Sequence, residues 1–297
     1  MFSRRHPFLY FILVFTAITM GGFVILSLIF SGLLGGQDGF SGEKVGVVEI
    51  VGPIVDSKEI NENLKMFRED ETIKAIVLRI DSPGGGVGPS QEIFRAIQKT
   101  KEKKTVITSM GALAASGGYY AAAATDGIMA NPGTITGSIG VIMGYTNFKE
   151  IFQKIGLMPV VFKSGAFKDT GSPVRDMRPE EKVFLQNFVN KIHEQFVKDV
   201  AKSRKLKYKT VKKLADGRIY TGLEAKELGL VDRIGNLEDA VDWAGELAGI
   251  EGEISVVYPP EPPMSFLEYL SGSSVDQMVD RLVESKLKAG YLYQPGS

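Results

Sequence analysis

The chain has no cysteine, only two histidines and one tryptophan in 297 residues, and no surplus of either charge: Lys+Arg 35 stand against Asp+Glu 35. Without cysteine there is no disulfide scaffold, no thiol nucleophile and no Cys-ligated zinc or iron–sulfur site. His6 lies in the first residues beside Arg4 and Arg5, and His193-Glu194-Gln195-Phe196-Val197 lacks the second ring one turn on that a zincin helix needs. Most histidine chemistry is thereby excluded, and neither a metal nor a cofactor is expected. Beyond residue 38 the balance is 33 basic to 34 acidic residues, which gives nucleic acid nothing to bind. At 44% hydrophobic and 24% charged, with 34 Gly and 13 Pro, the chain is neither disordered nor collagenous. Its length suits one large domain or two modest ones, and no tandem repeat marks a solenoid.

What is present begins with a long apolar run. Residues 8–34 carry no formal charge. As a helix they would reach about 40 Å, more than the roughly 30 Å of a bilayer's hydrocarbon core. Arg4 and Arg5 precede the run and the first later charge is Asp38, so the positive-inside bias predicts a cytoplasmic N-terminus, with everything after about residue 38 on the other side of the membrane. A cleaved signal peptide would have a shorter apolar core and an Ala-x-Ala-like site, which Phe30-Ser31-Gly32-Leu33-Leu34-Gly35-Gly36 matches poorly. The expected layout is a cytoplasmic stub at 1–7, a transmembrane anchor at 8–34, a linker at 35–44, a folded domain at 45–250 and a C-terminal extension at 251–297.

Strand-like and helix-like segments alternate after the linker. Strands are predicted at 45–51, 72–80, 105–109, 128–130, 140–143 and 160–163, and helices at 57–68, 89–101 and 179–204. Val275 to Lys288 reads as a further amphipathic helix, before a loose tail. This rhythm predicts an α/β fold with a mostly parallel sheet of βαβ units.

Three small-residue clusters carry the chemistry. Asp81-Ser82-Pro83-Gly84-Gly85-Gly86 ends a strand, and consecutive glycines there leave N–H groups that can hold an oxyanion; a tight strand–helix turn would use the same glycines. From Gly111 to Gly127, eleven of seventeen residues are Ala or Gly, and Ser116 is the one strong nucleophile among them. Ser116 followed by Gly117 could open a helix, where negative charge is supported, although a serine there is more commonly a simple N-cap. With no histidine at hand, the base for a serine must be a lysine whose pKa falls from about 10.4 toward 7–8 by burial. Lys163-Ser164-Gly165-Ala166-Phe167-Lys168-Asp169 offers two lysines, and spacing and composition do not choose between them.

These segments, with Thr136-Gly137-Ser138-Ile139-Gly140-Val141-Ile142, Ala215-Asp216-Gly217-Arg218-Ile219-Tyr220-Thr221-Gly222 and Ala225-Lys226-Glu227-Leu228-Gly229-Leu230-Val231-Asp232, occur together and in order. The set resembles the short, single-length branch of the signal peptide peptidase A family, membrane-anchored bacterial serine proteases. The resemblance covers roughly Val45 to Ala240 plus the anchor. It implies a crotonase-like, Clp protease-like fold, with Ser116 as nucleophile and Lys168 as general base. It further implies an oxyanion hole from the N–H groups of Gly85 and Gly117, and a Ser138 hydroxyl that orients the lysine. Peptides, including remnant signal peptides, are the implied substrates. Double-length relatives take serine and lysine from different halves, so a single-length chain is expected to pair them across protomers of a homo-oligomeric ring. Two other readings share these features: an acyl-CoA enzyme on the same fold, disfavoured by the expected location outside the cytoplasm, and a non-catalytic membrane-tethered scaffold.

Overall fold

The computed structural model describes residues 6–34, 43–260 and 290–292. The chain divides into two compact units, Met1–Gly42 and Glu43–Ser297. The expected linker falls mostly outside the described residues, as does the expected helix at 275–288.

The first unit is helix α1 (Pro7–Leu34), among the described residues the one helix long and apolar enough to cross a membrane. Its threonines satisfy themselves: Thr16 and Thr19 donate back to the carbonyls of Ile12 and Phe15, at 2.5 and 3.0 Å. Each hydroxyl is thereby satisfied within its own helix.

The second unit is built on one sheet. Strands β1 (Lys44–Val51), β2 (Ile73–Ser82) and β4 (Thr105–Ala115) pair in parallel, with helices α2 (Lys58–Glu69) and α3 (Val87–Lys101) as crossovers. A short strand β3 (Gly84–Gly86) follows β2, and α4 (Gly117–Ala123) follows β4. Beyond them come β5 (Gly127–Ala130), β6 (Ile135–Gly137), α5 (Lys149–Lys154), α6 (Pro179–Ser203), α7 (Tyr208–Leu214), β7 (Ile219–Thr221), α8 (Gly222–Glu227), β8 (Arg233–Ile234), α9 (Leu237–Ala248) and β9 (Ser255–Val257). The order is β7-β6-β4-β2-β1-β9, with β5 joining β4 to β8, and only β6–β7 runs antiparallel within it. This is the expected α/β architecture.

Both sheet faces are covered, as a parallel sheet requires. One face (Val48, Ile50, Ile76, Leu78, Ile80) packs with Leu64 of α2, Ile93 of α3, Tyr119 of α4 and Phe196 of α6. The other (Val45, Val47, Ala75, Val77, Ile107) packs on Ala240, Trp243 and Ala244 of α9.

Four features depart from the sequence reading. β4 runs through Ala115 rather than stopping at Ser109, because its small residues extend the ladder along β2 and then β6. Gly140–Met143 forms no strand: the strand lies earlier, at β6, and left-handed backbone at Gly137 (φ 80°) and Ser138 (φ 49°) ends it. Val160–Lys163 is not a strand either: every residue from 153 to 168 is exposed, and 160–163 pair with no strand among the described residues. The tail carries order that the sequence does not announce, for β10 (Gly290–Leu292) pairs antiparallel with β3.

The β2–β4 register also slips. Ile80 faces Met110 and Ser82 faces Ala114, so three residues of β4 stand opposite Asp81 alone. The Asp81 carboxylate accepts from the N–H groups of Ala112 (3.4 Å) and Leu113 (3.1 Å) within that bulge.

Candidate active site

The carboxyl ends of three adjacent parallel strands bring the candidate residues together. β2 leads into the glycines of β3, β4 into Ser116, and β6 into Ser138. Ala115 and Gly137 are register partners, so Ser116 and Ser138 leave the sheet side by side, and Ser116 N–H donates to Gly137 O at 2.9 Å.

Ser116 has φ 53° and ψ −115°, a conformation costly for a residue with a side chain. Its carbonyl accepts from Tyr120 N–H at 2.8 Å, which starts α4, yet its hydroxyl makes no capping bond. The cap reading of this serine therefore fails on geometry. The residue is 1% exposed and its Oγ has no hydrogen-bond partner. A strained, buried and unpartnered hydroxyl is expensive on every count, and such costs gather where chemistry is done.

Gly85 and Gly117 meet beside it. A Cβ on Gly117 would lie 3.1 Å from Gly85 N and 2.5 Å from Ser90 Oγ. A Cβ on Gly85 would collide with Ile54 O at 2.1 Å, because Ile54 pairs with this strand through Ile54 N–H to Gly84 O (2.9 Å) and Gly86 N–H to Ile54 O (2.8 Å). Only glycine fits at Gly85 without moving the backbone. Two serines that the sequence reading passed over brace the turn: Ser82 Oγ accepts from Gly84 N–H at 3.1 Å, and Ser90 Oγ donates to Gly86 O at 2.8 Å. The signal for Ser82 lay in its place just before Pro83, where a short hydroxyl can bond a backbone amide two residues on.

Ser138 is nearly buried, and its N–H donates to Arg218 O at 2.8 Å. It lines a cavity of about 510 Å³ together with Gln186, Asn190, His193 and Asp216. His193 sits on α6, half-buried, with an unpartnered Nε2, and makes no bond to Ser116.

Lys168 is not brought to Ser116 within the protomer. It is exposed, in a turn whose Lys168 N–H donates to Gly165 O, and Ser116 Oγ has no lysine partner. Lys163, the alternative base, is committed elsewhere, paired with Asp169. Asp169 is also bound by Arg175 at 2.9 Å, and these two cations, Arg175 foremost, hold its carboxyl down at about 2.

Two family models and three relatives bear on this arrangement. A model of peptidase family S49 matches residues 98–251, and one of Clp protease matches residues 45–136. A Synechocystis protein whose name gives it as a candidate protease is 42% identical over 244 residues, 81% of this chain and 88% of that protein. The Arabidopsis thaliana chloroplastic serine protease SPPA is 32% identical over 268 residues, 86% of this chain and 40% of that protein. Protease 4 of Haemophilus influenzae is 34% identical over 230 residues, 72% of this chain and 36% of that protein.

Proposed function

We propose a mechanism for this chain from one premise: it belongs to peptidase family S49 and is a serine-type peptidase of Clp protease-like fold. Ser116 is the nucleophile and Lys168 the general base. Neutral Lys168 Nζ takes the proton of Ser116 Oγ–H as the oxygen attacks a peptide carbonyl. The N–H groups of Gly85 and Gly117 receive the charge that develops on the carbonyl oxygen. The lysine returns the proton to the departing amine, and water, deprotonated by the same lysine, releases the acyl group. Ser138, beside Ser116 at the neighbouring strand end, orients the lysine as a neutral acceptor. The single observation that carries the reading is the Ser116 hydroxyl, buried and unpartnered on strained backbone beside two glycine amides.

The lysine comes from a second copy. Lys168 rides on a segment whose apolar residues face outward, among them Met158, Val160, Val161 and Phe162, the last 96% exposed. A surface of that kind calls for a partner, and the site lacks its base without one. The copies form a closed ring in which each Ser116 meets a neighbour's Lys168. Helix α1 anchors the chain in a bilayer with residues 1–7 in the cytoplasm and the peptidase unit on the other side, where signal peptides left after secretion are the substrates.

Co-expression tests the shared site. Ser116→Ala and Lys168→Ala are each expected to abolish peptide hydrolysis, and Lys163→Ala is not. Co-assembled one to one, the two dead variants should regain about a quarter of wild-type activity, since that share of interfaces pairs an intact serine with an intact lysine. No recovery at all would refute sharing, and an active Lys168→Ala protein would refute the dyad.

A further inference from the structure

The residues around Lys168 are held by a single buried carboxylate. Glu181, in the first turn of α6, has 0% exposure. It accepts from Arg175 Nη1 (2.9 Å) and Nη2 (2.7 Å), from Arg178 Nη2 (2.8 Å) and N–H (2.9 Å), and from Thr170 Oγ1 (3.4 Å). The two guanidinium groups then reach the turn from both sides of the lysine. Arg178 Nη2 donates to Ala166 O. Arg175 donates through Nε to the Asp169 carboxylate and through Nη2 to Asp169 O, both at 2.9 Å. Lys163 closes the ring on Asp169, and the Phe167 ring packs on Phe184 of α6 at 5.3 Å with Arg178 over its face.

Residues 166, 167, 169 and 170 are thus all tied to the start of α6, while Lys168, between them, is exposed. A flexible turn would let a lysine with four rotatable bonds wander. Such freedom is what an acid–base group must lose, because an offset of about 1 Å from a productive geometry can cost about 10²-fold in rate. A surface turn hung on a fully buried acid by two forked cations is more apparatus than a loop needs to stay folded. We propose that Glu181, acting through Arg175 and Arg178, is the positioning residue that presents Lys168 to the serine of the neighbouring copy. This rests on Lys168 being the base. Arg is required at both places: a fork can bond the carboxylate and a carbonyl together, and a lysine ammonium at the end of a flexible stem cannot reproduce that plane.

The test uses the full-length chain in detergent, with Glu181→Gln, Arg175→Lys and Arg178→Gln measured beside Lys168→Ala. Glu181→Gln is expected to lower kcat at least 10-fold with KM within about 2-fold, because substrate contacts are untouched. Arg175→Lys should lower kcat comparably although charge is kept. Hydrogen exchange should rise in residues 163–170 and stay unchanged in the sheet. With an activated ester, so that residual turnover is measurable, Glu181→Gln should add no loss to Lys168→Ala. Wild-type kcat in both Glu181→Gln and Arg175→Lys would overturn the inference, as would an equal further loss in the Lys168→Ala background. Should Glu181→Gln fail to fold, Arg175→Lys and Arg178→Gln, which leave the buried acid one arginine each, decide in its place. An active Lys168→Ala protein would instead overturn the underlying assignment of the base.

Discussion

Replacing Ser116 by glycine should abolish hydrolysis and make the protein more stable. The backbone at 116 sits at φ 53°, ψ −115°, where a residue bearing a Cβ carries about 1–3 kcal/mol of strain and glycine almost none. Glycine costs about 0.4–1 kcal/mol in the unfolded chain, which leaves a net gain of about 1 kcal/mol. In a domain of this size that raises Tm by about 2–4 °C. Ser116→Ala is the necessary companion: it loses the hydroxyl and keeps the strain, so the difference between the two variants isolates the backbone. Thermal unfolding followed by circular dichroism, on the full chain in detergent, measures both. Ser116→Gly no more stable than Ser116→Ala would show the conformation to be unstrained, and the argument that this position gives up stability for chemistry would fall.

Gly85→Ala places a methyl group 2.1 Å from Ile54 O, so β3 must shift; about 1–3 kcal/mol of stability and about 10²–10³-fold in kcat should be lost, read by denaturant unfolding and peptide turnover. Acid should release the lysine turn before the core unfolds. Asp169 and Glu181 are both depressed, chiefly by Arg175, so their contribution is complete above the ordinary carboxylate range near pH 4 and lost as pH falls through about 2 for Asp169. Limited proteolysis with an acid-active protease across that window should cut first within residues 163–175, and first cuts elsewhere would refute it. Phe162→Asp, on the exposed apolar segment, should leave the protomer folded, shift it to smaller species in light scattering and remove hydrolysis; unchanged size would refute the contact.

The sequence exposes this fold where a segment's pattern and its surroundings agree. Val45–Val51 and Ile76–Ile80 read as buried strands because both of their faces are covered, and α6 shows its apolar face over seven turns. Val160–Lys163 misleads because β-branched and aromatic residues look the same whether they meet a strand in their own chain or a surface beyond it. β4 is underread at Gly111–Ala115, where small side chains carry no periodicity although the ladder continues. At the site, Ser116 and the glycines are visible as residue types, but the left-handed turn at Ser116 and Ser138 is not, since both are residues that normally avoid it. Nothing local tells Lys163 from Lys168 in the sequence: that Lys163 is paired with Asp169 while Lys168 stands exposed depends on the folded turn and on Arg175 beyond the motif.

The register slip opposite Asp81 sets how far Ser116 projects. Counted on without a break from the Ile80–Met110 pair, the ladder would carry Ser116 up to the level of Gly86; the slip takes two residues out of the count and sets it level with Gly84 instead. Two residues of extended chain are about 6–7 Å, the distance by which an unbroken strand would overshoot. The aspartate that stitches the slack thus acts as a tuck, and the height of this serine is a matter of counting residues rather than of bending a strand. Letting Gly111 and Ala112 rejoin the ladder would lift the hydroxyl past Gly84 and Gly85 while leaving every residue around the cleft chemically intact.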